Sequence, residues 1–197
     1  MPLEGMMLPH SFFQQTPLVC AQALTGAGLC WNGIQCRIVE TEAYDAEDDP
    51  ACHTFSRPSA RKFVETHPAG TAYVYLNYGV HYLFNVLIKG GARSGFVLIR
   101  AVEPLCENPD APLLKRCGAG PGKLTKFLGI TKEVHGQDLC KEERFAFFAL
   151  PQTKHPVRSS GRIGISRAQD FPWRFYLEGN ENVSGPRFNL AISKKES

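Results

Sequence analysis

The segment from Ala72 to Asn85 constrains the fold more than any other. Ala72-Tyr73-Val74-Tyr75-Leu76 and Val80-His81-Tyr82-Leu83-Phe84 are runs rich in β-branched and aromatic residues, and Asn77-Tyr78-Gly79 stands between them. Such residues suit a pleated, half-buried strand, and a break containing Asn and Gly between two of these runs signals a hairpin. Strand side chains alternate faces, so Tyr73, Tyr75 and Asn77 share one face while Val74, Leu76 and Tyr78 share the other. A tyrosine ladder ordinarily serves cross-strand packing and the core. A ring at the tip, Tyr78, is badly placed for a core. It suits a wedge entering between stacked bases, as apolar side chains do in minor-groove proteins.

A second stretch, Arg37-Ile38-Val39-Glu40-Thr41-Glu42-Ala43-Tyr44, reads as a strand ending on a carboxylate and an aromatic ring. That combination suits chemistry on a flat, cationic ring. Glu40 and Glu42 fall on the same face of a strand. Paired carboxylates serve acid/base work in sugar hydrolases; equally, one can be a base and the other a hydrogen-bond acceptor that only supports the structure. Arg100 closes the apolar run Phe96-Val97-Leu98-Ile99, where it can meet Glu42, either in catalysis or in a structural salt bridge.

The remaining elements follow from local signals. Thr16-Pro17 is an N-cap followed by a first-turn proline, Leu18, Ala21 and Leu24 keep helical spacing, and Gly26 can stop the helix. Strands are expected over 35–41, 71–77, 80–88 and 96–102, with late strands over 162–166 and 175–178. Residues 45–68 are polar and turn-rich, a long and therefore functional loop with short helical pieces. Residues 152–161 read as an exposed connection. Gly118-Ala119-Gly120-Pro121-Gly122 opens a helix over 121–128 that Gly129 closes. This stretch departs from a P-loop, because Cys117 and Leu124 occupy the positions of the first Gly and the Ser/Thr. A helix start with free N–H groups and Lys123 still suits one phosphate; a plain helix with a solvated lysine fits as well. Strands without regular βαβ alternation indicate an α+β fold.

Charge and cysteine usage exclude several classes. The net charge is +3, divided into −2 for residues 1–99 and +5 for residues 100–197. The acids cluster at Glu40, Glu42, Asp45, Glu47, Asp48 and Asp49, so the second half can face a polyanion while the first holds an acidic site. No run reaches the roughly 18 apolar residues of a membrane span, and the N-terminus lacks the pattern of a signal peptide. The seven cysteines show no CxxC spacing, which indicates reduced thiols and a cytosolic or nuclear setting, the cytoplasm being expected here. Cys52, His53 and distant carboxylates do not form a ligand set, so no metal is expected.

Taken in order, Glu40-Thr41-Glu42-Ala43-Tyr44, His53, Tyr73-Val74-Tyr75, Tyr78-Gly79, Asn85, Leu98-Ile99-Arg100-Ala101, Gly120-Pro121-Gly122-Lys123-Leu124, Arg162-Ile163-Gly164-Ile165 and Arg174-Phe175-Tyr176 resemble the alkyladenine (3-methyladenine) DNA glycosylase family. The resemblance runs from about Phe12 to Tyr176, and the size resembles bacterial members. It implies that Glu42 is the general base directing a water at the anomeric carbon of a flipped nucleotide, with Arg100 helping to hold that water. Tyr44, His53 and Tyr75 become walls sandwiching the flipped base, Tyr78 fills the gap left in the duplex, and Asn85 crowds the exocyclic amino group of guanine. Gly122, Lys123 and Arg162 are candidates for phosphate contact. Where the family carries Arg-Thr-Pro-Arg-Asn, this chain has Arg57-Pro58-Ser59-Ala60-Arg61-Lys62.

The physical expectations agree. Extruding a base costs a few kcal/mol, and less for a damaged one. Aromatic rings attract a cationic alkylated purine by about 0.5–2 kcal/mol per contact. No lysine lies within the pocket motifs, so water rather than a Schiff base is the expected nucleophile. The expected protein is a monomeric, cofactor-free, monofunctional glycosylase acting on 3-methyladenine, 7-methylguanine, hypoxanthine or ethenoadenine in double-stranded DNA, close to the nucleoid. Its expected architecture is one α+β domain over residues 1–197, with a curved, largely antiparallel sheet flanked by helices and a protruding β-hairpin. The alternatives are a carbohydrate-active hydrolase using Glu40 and Glu42, and a lesion-binding protein without catalysis.

Overall fold

The computed structural model describes residues 5–90, 93–105, 114–141 and 145–185. In chain order, α1 (Pro17–Leu24) leads into β1 (Gly28–Trp31) and β2 (Ile34–Asp45). Next come α2 (His53–Ser56), α3 (Pro58–Thr66), β3 (Ala72–Asn77), β4 (His81–Gly90) and β5 (Arg93–Pro104). The chain continues through α4 (Pro121–Leu128), β6 (Phe145–Phe148), β7 (Val157–Ser160) and β8 (Arg174–Leu177). The fold is α+β, as expected, and the described strands form one curled, eight-stranded sheet: six follow the order β3-β4-β5-β2-β1-β6, while β8 pairs with β2 and β7 with β8. All pairings among the described strands are antiparallel.

β2 is the strand on which the sheet divides. One edge pairs with β5 along nearly its full length, while the other pairs first with β1 (through Ile34–Arg37) and then with β8 (through Glu40–Glu42). Alternation gives β4 and β5 two distinct faces. Phe84, Val86, Ile88, Val97 and Ile99 point into the main core with Ala21 and Leu24 of α1 and Leu124 and Leu128 of α4. The opposite face carries Leu83, Asn85, Phe96, Leu98 and Arg100, which line a cavity. The core therefore supports the cavity from behind, on rigid strands.

The local signals explain most boundaries. Thr16 caps α1 by accepting from Val19 N–H, with Pro17 in the first turn. Pro121 opens α4, and Gly129 ends it in the left-handed conformation (φ 67°). The polar stretch after β2 contains two short helices, α3 beginning on Pro58. The strand expected at 35–41 runs on to Asp45, as the Arg37–Tyr44 stretch indicates, because Thr41–Asp45 pair with Gly95–Ile99. Two readings need correction. No strand covers 162–166; positive φ at Gly164 (78°) breaks the extended run. The connection expected at 152–161 contains β7, an exposed strand paired with β8 alone. Finally, β1 and β6, four residues each, gave too short a pattern to be recognised; they complete the sheet beside β2.

Candidate active site

One rung across five strands organises the site. Tyr73 on β3 pairs with Asn85 on β4, Asn85 with Leu98 on β5, Leu98 with Glu42 on β2, and Glu42 with Arg174 on β8. Residues opposite one another in a ladder share a face, so register alone brings the aromatic strand and the acidic strand to one surface. The adjoining rungs place Tyr75 opposite Leu83 and Tyr44 opposite Phe96. The cavity enclosed there is about 680 Å³, within the range of small-molecule sites. Tyr44, His53, Tyr73, Tyr75, Asn85, Arg100 and Ile163 are among its walls.

Glu42 lies behind this wall. It is fully buried and does not itself line the cavity. Its Oε1 accepts from Ile163 N–H at 2.7 Å, its Oε2 accepts from Tyr44 Oη–H at 2.8 Å, and Arg100 Nη1 stands 3.3 Å from Oε2. All three partners reach the cavity surface. Burial raises the Glu42 pKa above the usual carboxylate value, and Arg100, Ile163 N–H and Tyr44 only partly offset it. An elevated carboxylate suits a base working near neutral pH.

Glu40 has the opposite environment. The β2–β5 register breaks on both sides of Glu40, and Arg100 falls in the break, between Ile99 (opposite Thr41) and Ala101 (opposite Glu40). Arg100 Nε donates to Glu40 at 3.0 Å, Arg174 Nε at 2.6 Å, and Ser184 contributes both its backbone N–H and its hydroxyl. Burial works against the Glu40 charge, but Arg100 and Arg174 together outweigh it and hold the pKa below its ordinary value. Glu40 thus anchors the arginines. Glu42, two residues on, has Arg100 as its one close guanidinium among the described residues and keeps a raised pKa.

The aromatic wall is electrostatically neutral at pH 7. Burial, helped by nearby Arg57, pushes His53 down to about 4. Its ring lies 4.3 Å from that of Tyr75, and Nδ1 is 3.2 Å from Tyr73 Oη. Tyr73 stacks on Phe96 at 4.4 Å, and Arg57 stands 5.5 Å from the Tyr75 ring centre. Asn85 is buried and donates from Nδ2 to the Tyr73 carbonyl. Arg57 is extended and precedes α3, and Arg61 donates to the Thr54 carbonyl, so the divergent segment is helical from Pro58 and reaches the cavity through Arg57.

Tyr78 occupies the hairpin tip, 90% exposed, with Val80 (68%) and Leu76 (47%) also in solvent. Tyr78 and Gly79 have φ of 49° and 70°, and Val80 N–H closes the turn on the Asn77 carbonyl. A bulky residue at positive φ costs about 1–2 kcal/mol, and such strain is concentrated at functional sites. Across the cavity mouth, a Cβ on Gly122 would come within 2.7 Å of His81, so only glycine lets α4 approach the hairpin this closely. Lys123 is exposed beside it.

The Arg162 expectation requires correction. Its side chain is fully buried, bonded to both Asp49 carboxylate oxygens (2.5 and 2.8 Å) and to the Ala43 carbonyl, with its guanidinium near the Tyr44 and Trp173 rings. A guanidinium committed in this way has no face for phosphate. Sequence reasoning also missed the Ile163 N–H on Glu42, which no side-chain pattern reports, and the role of Asp49, hidden within an acidic run. Elsewhere, His10, Asp138 and Cys140 approach within 4.8 Å of one another. There Asp138 already pairs with His10 and Lys141 and accepts Cys140 N–H, and none of the three lines the cavity. None of the six described cysteines is in a disulfide, and among the described residues no helix is long and apolar enough to cross a membrane.

Residues 11–181 match the family model for methylpurine-DNA glycosylase. The chain is 41% identical over 192 residues to a protein of Nitrosospira multiformis (92% of this chain, 96% of the relative) and 41% identical over 183 residues to one of Agrobacterium fabrum (90% and 92%). It is 39% identical over 170 residues to one of Chlorobium luteolum (83% and 85%); all three bear the name 3-methyladenine DNA glycosylase as a provisional assignment. A match spanning the strands, the acidic wall and the hairpin places this chain in the methylpurine-DNA glycosylase family.

Proposed function

We propose that the protein extrudes an alkylated or deaminated purine nucleotide from duplex DNA and hydrolyses its N-glycosidic bond with a water directed by Glu42, leaving an abasic site. One observation carries the reading: a buried carboxylate with a raised pKa, held by three donors, directly behind a cavity walled by Tyr44, His53, Tyr73 and Tyr75 and roomy enough for a nucleotide. A base inside the duplex hides its glycosidic bond, so the nucleotide must swing into the cavity. The exposed Tyr78 ring fills the space it vacates and recovers stacking energy.

The walls act by charge and shape. A purine alkylated at N3 or N7 is cationic, and stacking on Tyr44 and Tyr75 favours it. That base is already a good leaving group. A neutral lesion such as hypoxanthine or ethenoadenine instead needs a proton as the bond breaks. As the sugar becomes oxocarbenium-like, the Glu42 carboxylate stabilises it and takes a proton from the attacking water. An ionised carboxylate offers about four lone-pair positions, and three donors occupy Glu42. Because Glu42 exposes no surface, admitting that water requires a small displacement of the wall formed by Tyr44, Arg100 and Ile163. Asn85, fixed by its bond to Tyr73, occupies the place where a guanine amino group would project. No lysine is among the cavity-lining residues, which supports a hydrolytic, monofunctional reaction. Gly122 and Lys123, at the start of α4, are proposed to contact phosphate.

The test is single-turnover release of hypoxanthine and 7-methylguanine from duplex DNA. Wild type should release base, and Glu42→Gln should lose about 100-fold or more, the usual contribution of a general base. An inactive wild type, or a Glu42→Gln variant of equal rate, overturns the proposal.

A further inference from the structure

We infer that the buried Asp49–Arg162 ion pair is the positioning device that keeps Glu42 oriented and ionised, through Ile163 N–H and the Tyr44 side chain. The inference rests on the function proposed above and adds residues to its machinery.

Asp49 lies on the long segment after β2, and Arg162 on the irregular segment before β8. Both side chains are completely buried, and Arg162 bonds both Asp49 oxygens. A third bond, to the Ala43 carbonyl, ties Arg162 to the backbone between Glu42 and Tyr44. The next residue, Ile163, has no strand ladder to fix it, yet its N–H meets Glu42 Oε1 at 2.7 Å. The Arg162 guanidinium also packs 4.6 Å from the Tyr44 ring centre, and Tyr44 donates to Glu42 Oε2. Arg162 therefore braces two of the three donors on Glu42, beside the β2–β5 pairing of Tyr44 and the Arg100 bond to the Ile163 carbonyl (3.5 Å), and Arg162 is held by Asp49. Residues 163–167 form one cavity wall, so the same tether sets the wall. A fully buried ion pair is no general gain in stability over apolar packing; its value here is geometric.

The effect has a diagnostic sign. The charged and titratable groups facing Glu42 are Glu40 and Tyr44 on β2, Arg100 on β5, Tyr75 on β3, Arg174 opposite on β8, and Arg162. Deleting the negative charge of Asp49, with nothing moving, would make this surrounding more positive and Glu42 more acidic. Losing the Ile163 N–H instead makes Glu42 less acidic. The two outcomes are opposite in direction.

The experiment measures the pH profile of single-turnover hypoxanthine release for wild type, Asp49→Asn and Arg162→Lys, together with affinity for duplex DNA bearing an abasic site. The positioning role predicts that the acidic limb moves up by about one pH unit in Asp49→Asn, because one hydrogen bond to a charged group is lost. Duplex affinity should change less than threefold, since Tyr78 and the basic surface are untouched. Ile163→Pro removes the donor without altering the charge of Asp49 or Arg162 and should shift the limb by a similar amount; thermal unfolding checks that the added backbone restraint at Arg162 and Ile163 is tolerated, so the proposal stays testable if a charge variant does not fold. An unshifted or lowered limb in Asp49→Asn, or a wild-type profile in Ile163→Pro, overturns it. A wild type that releases no base overturns the underlying functional reading instead.

Discussion

Replacing Glu40 by Gln separates an architectural carboxylate from a chemical one. Glu40 is fully buried and receives Arg100, Arg174 and two groups of Ser184. A glutamine keeps the volume but replaces one acceptor oxygen by an NH₂ group, which then faces donors. Breaking a buried ion pair from one side costs about 3–5 kcal/mol, because the partner charge stays buried. Two arginines depend on Glu40, yet the cost does not double. Arg100 retains Glu42 at 3.3 Å, and Arg174 retains Ser160 Oγ and the Tyr176 ring. At roughly 2–4 °C per kcal/mol for a domain of this size, Tm should fall by about 6–20 °C. Glu42→Gln behaves differently. It removes a desolvated charge whose main partner, Arg100, remains paired with Glu40, so its Tm should stay within about 4 °C of wild type while base release falls about 100-fold or more. The assay is thermal unfolding in parallel with single-turnover release at a temperature where both variants are folded. If Glu40→Gln leaves Tm unchanged while costing as much activity as Glu42→Gln, the carboxylates act as a catalytic pair. The division of roles argued here is then wrong, and the paired-glutamate hydrolase mechanism becomes the better description.

Three other expectations follow from the geometry. Tyr78→Gly should raise Tm slightly, since glycine accepts positive φ without the cost a tyrosine bears, yet it should lower activity on duplex DNA; equal duplex activity removes the wedge role. His53 binds its proton at about 4 when folded and at 6.5 when unfolded. The unfolded chain therefore takes up the proton first as pH falls, and stability present above pH 6.5 drains away down to about pH 4, by about 2 kcal/mol allowing for partial exposure. Chemical denaturation of wild type and His53→Gln across that window checks it, because the variant should lack this component. Asn85→Ser should increase release of undamaged guanine by opening the floor of the cavity; product analysis by chromatography decides, and unchanged guanine release sinks the steric role.

The periodicity of the chain determined a good deal. Alternation over Ala72–Asn85 specified the hairpin, with Tyr78 at its tip, because side-chain period and turn residues are local properties. The capped starts of α1 and α4 were local as well. The same alternation put Glu40 and Glu42 on one face, where both meet Arg100. The tertiary structure alone decided which glutamate gathers two arginines and a lowered pKa and which keeps a raised one. That depends on a register break beside Glu40 and on Arg174 and Ser184, more than 130 residues away in sequence. It also turned Arg162 from a surface cation into a buried brace, because Asp49, 113 residues distant, closes over it. Charge patterns in a sequence give the groups that can ionise; desolvation and partners, which set what each group does, exist only once remote segments pack together.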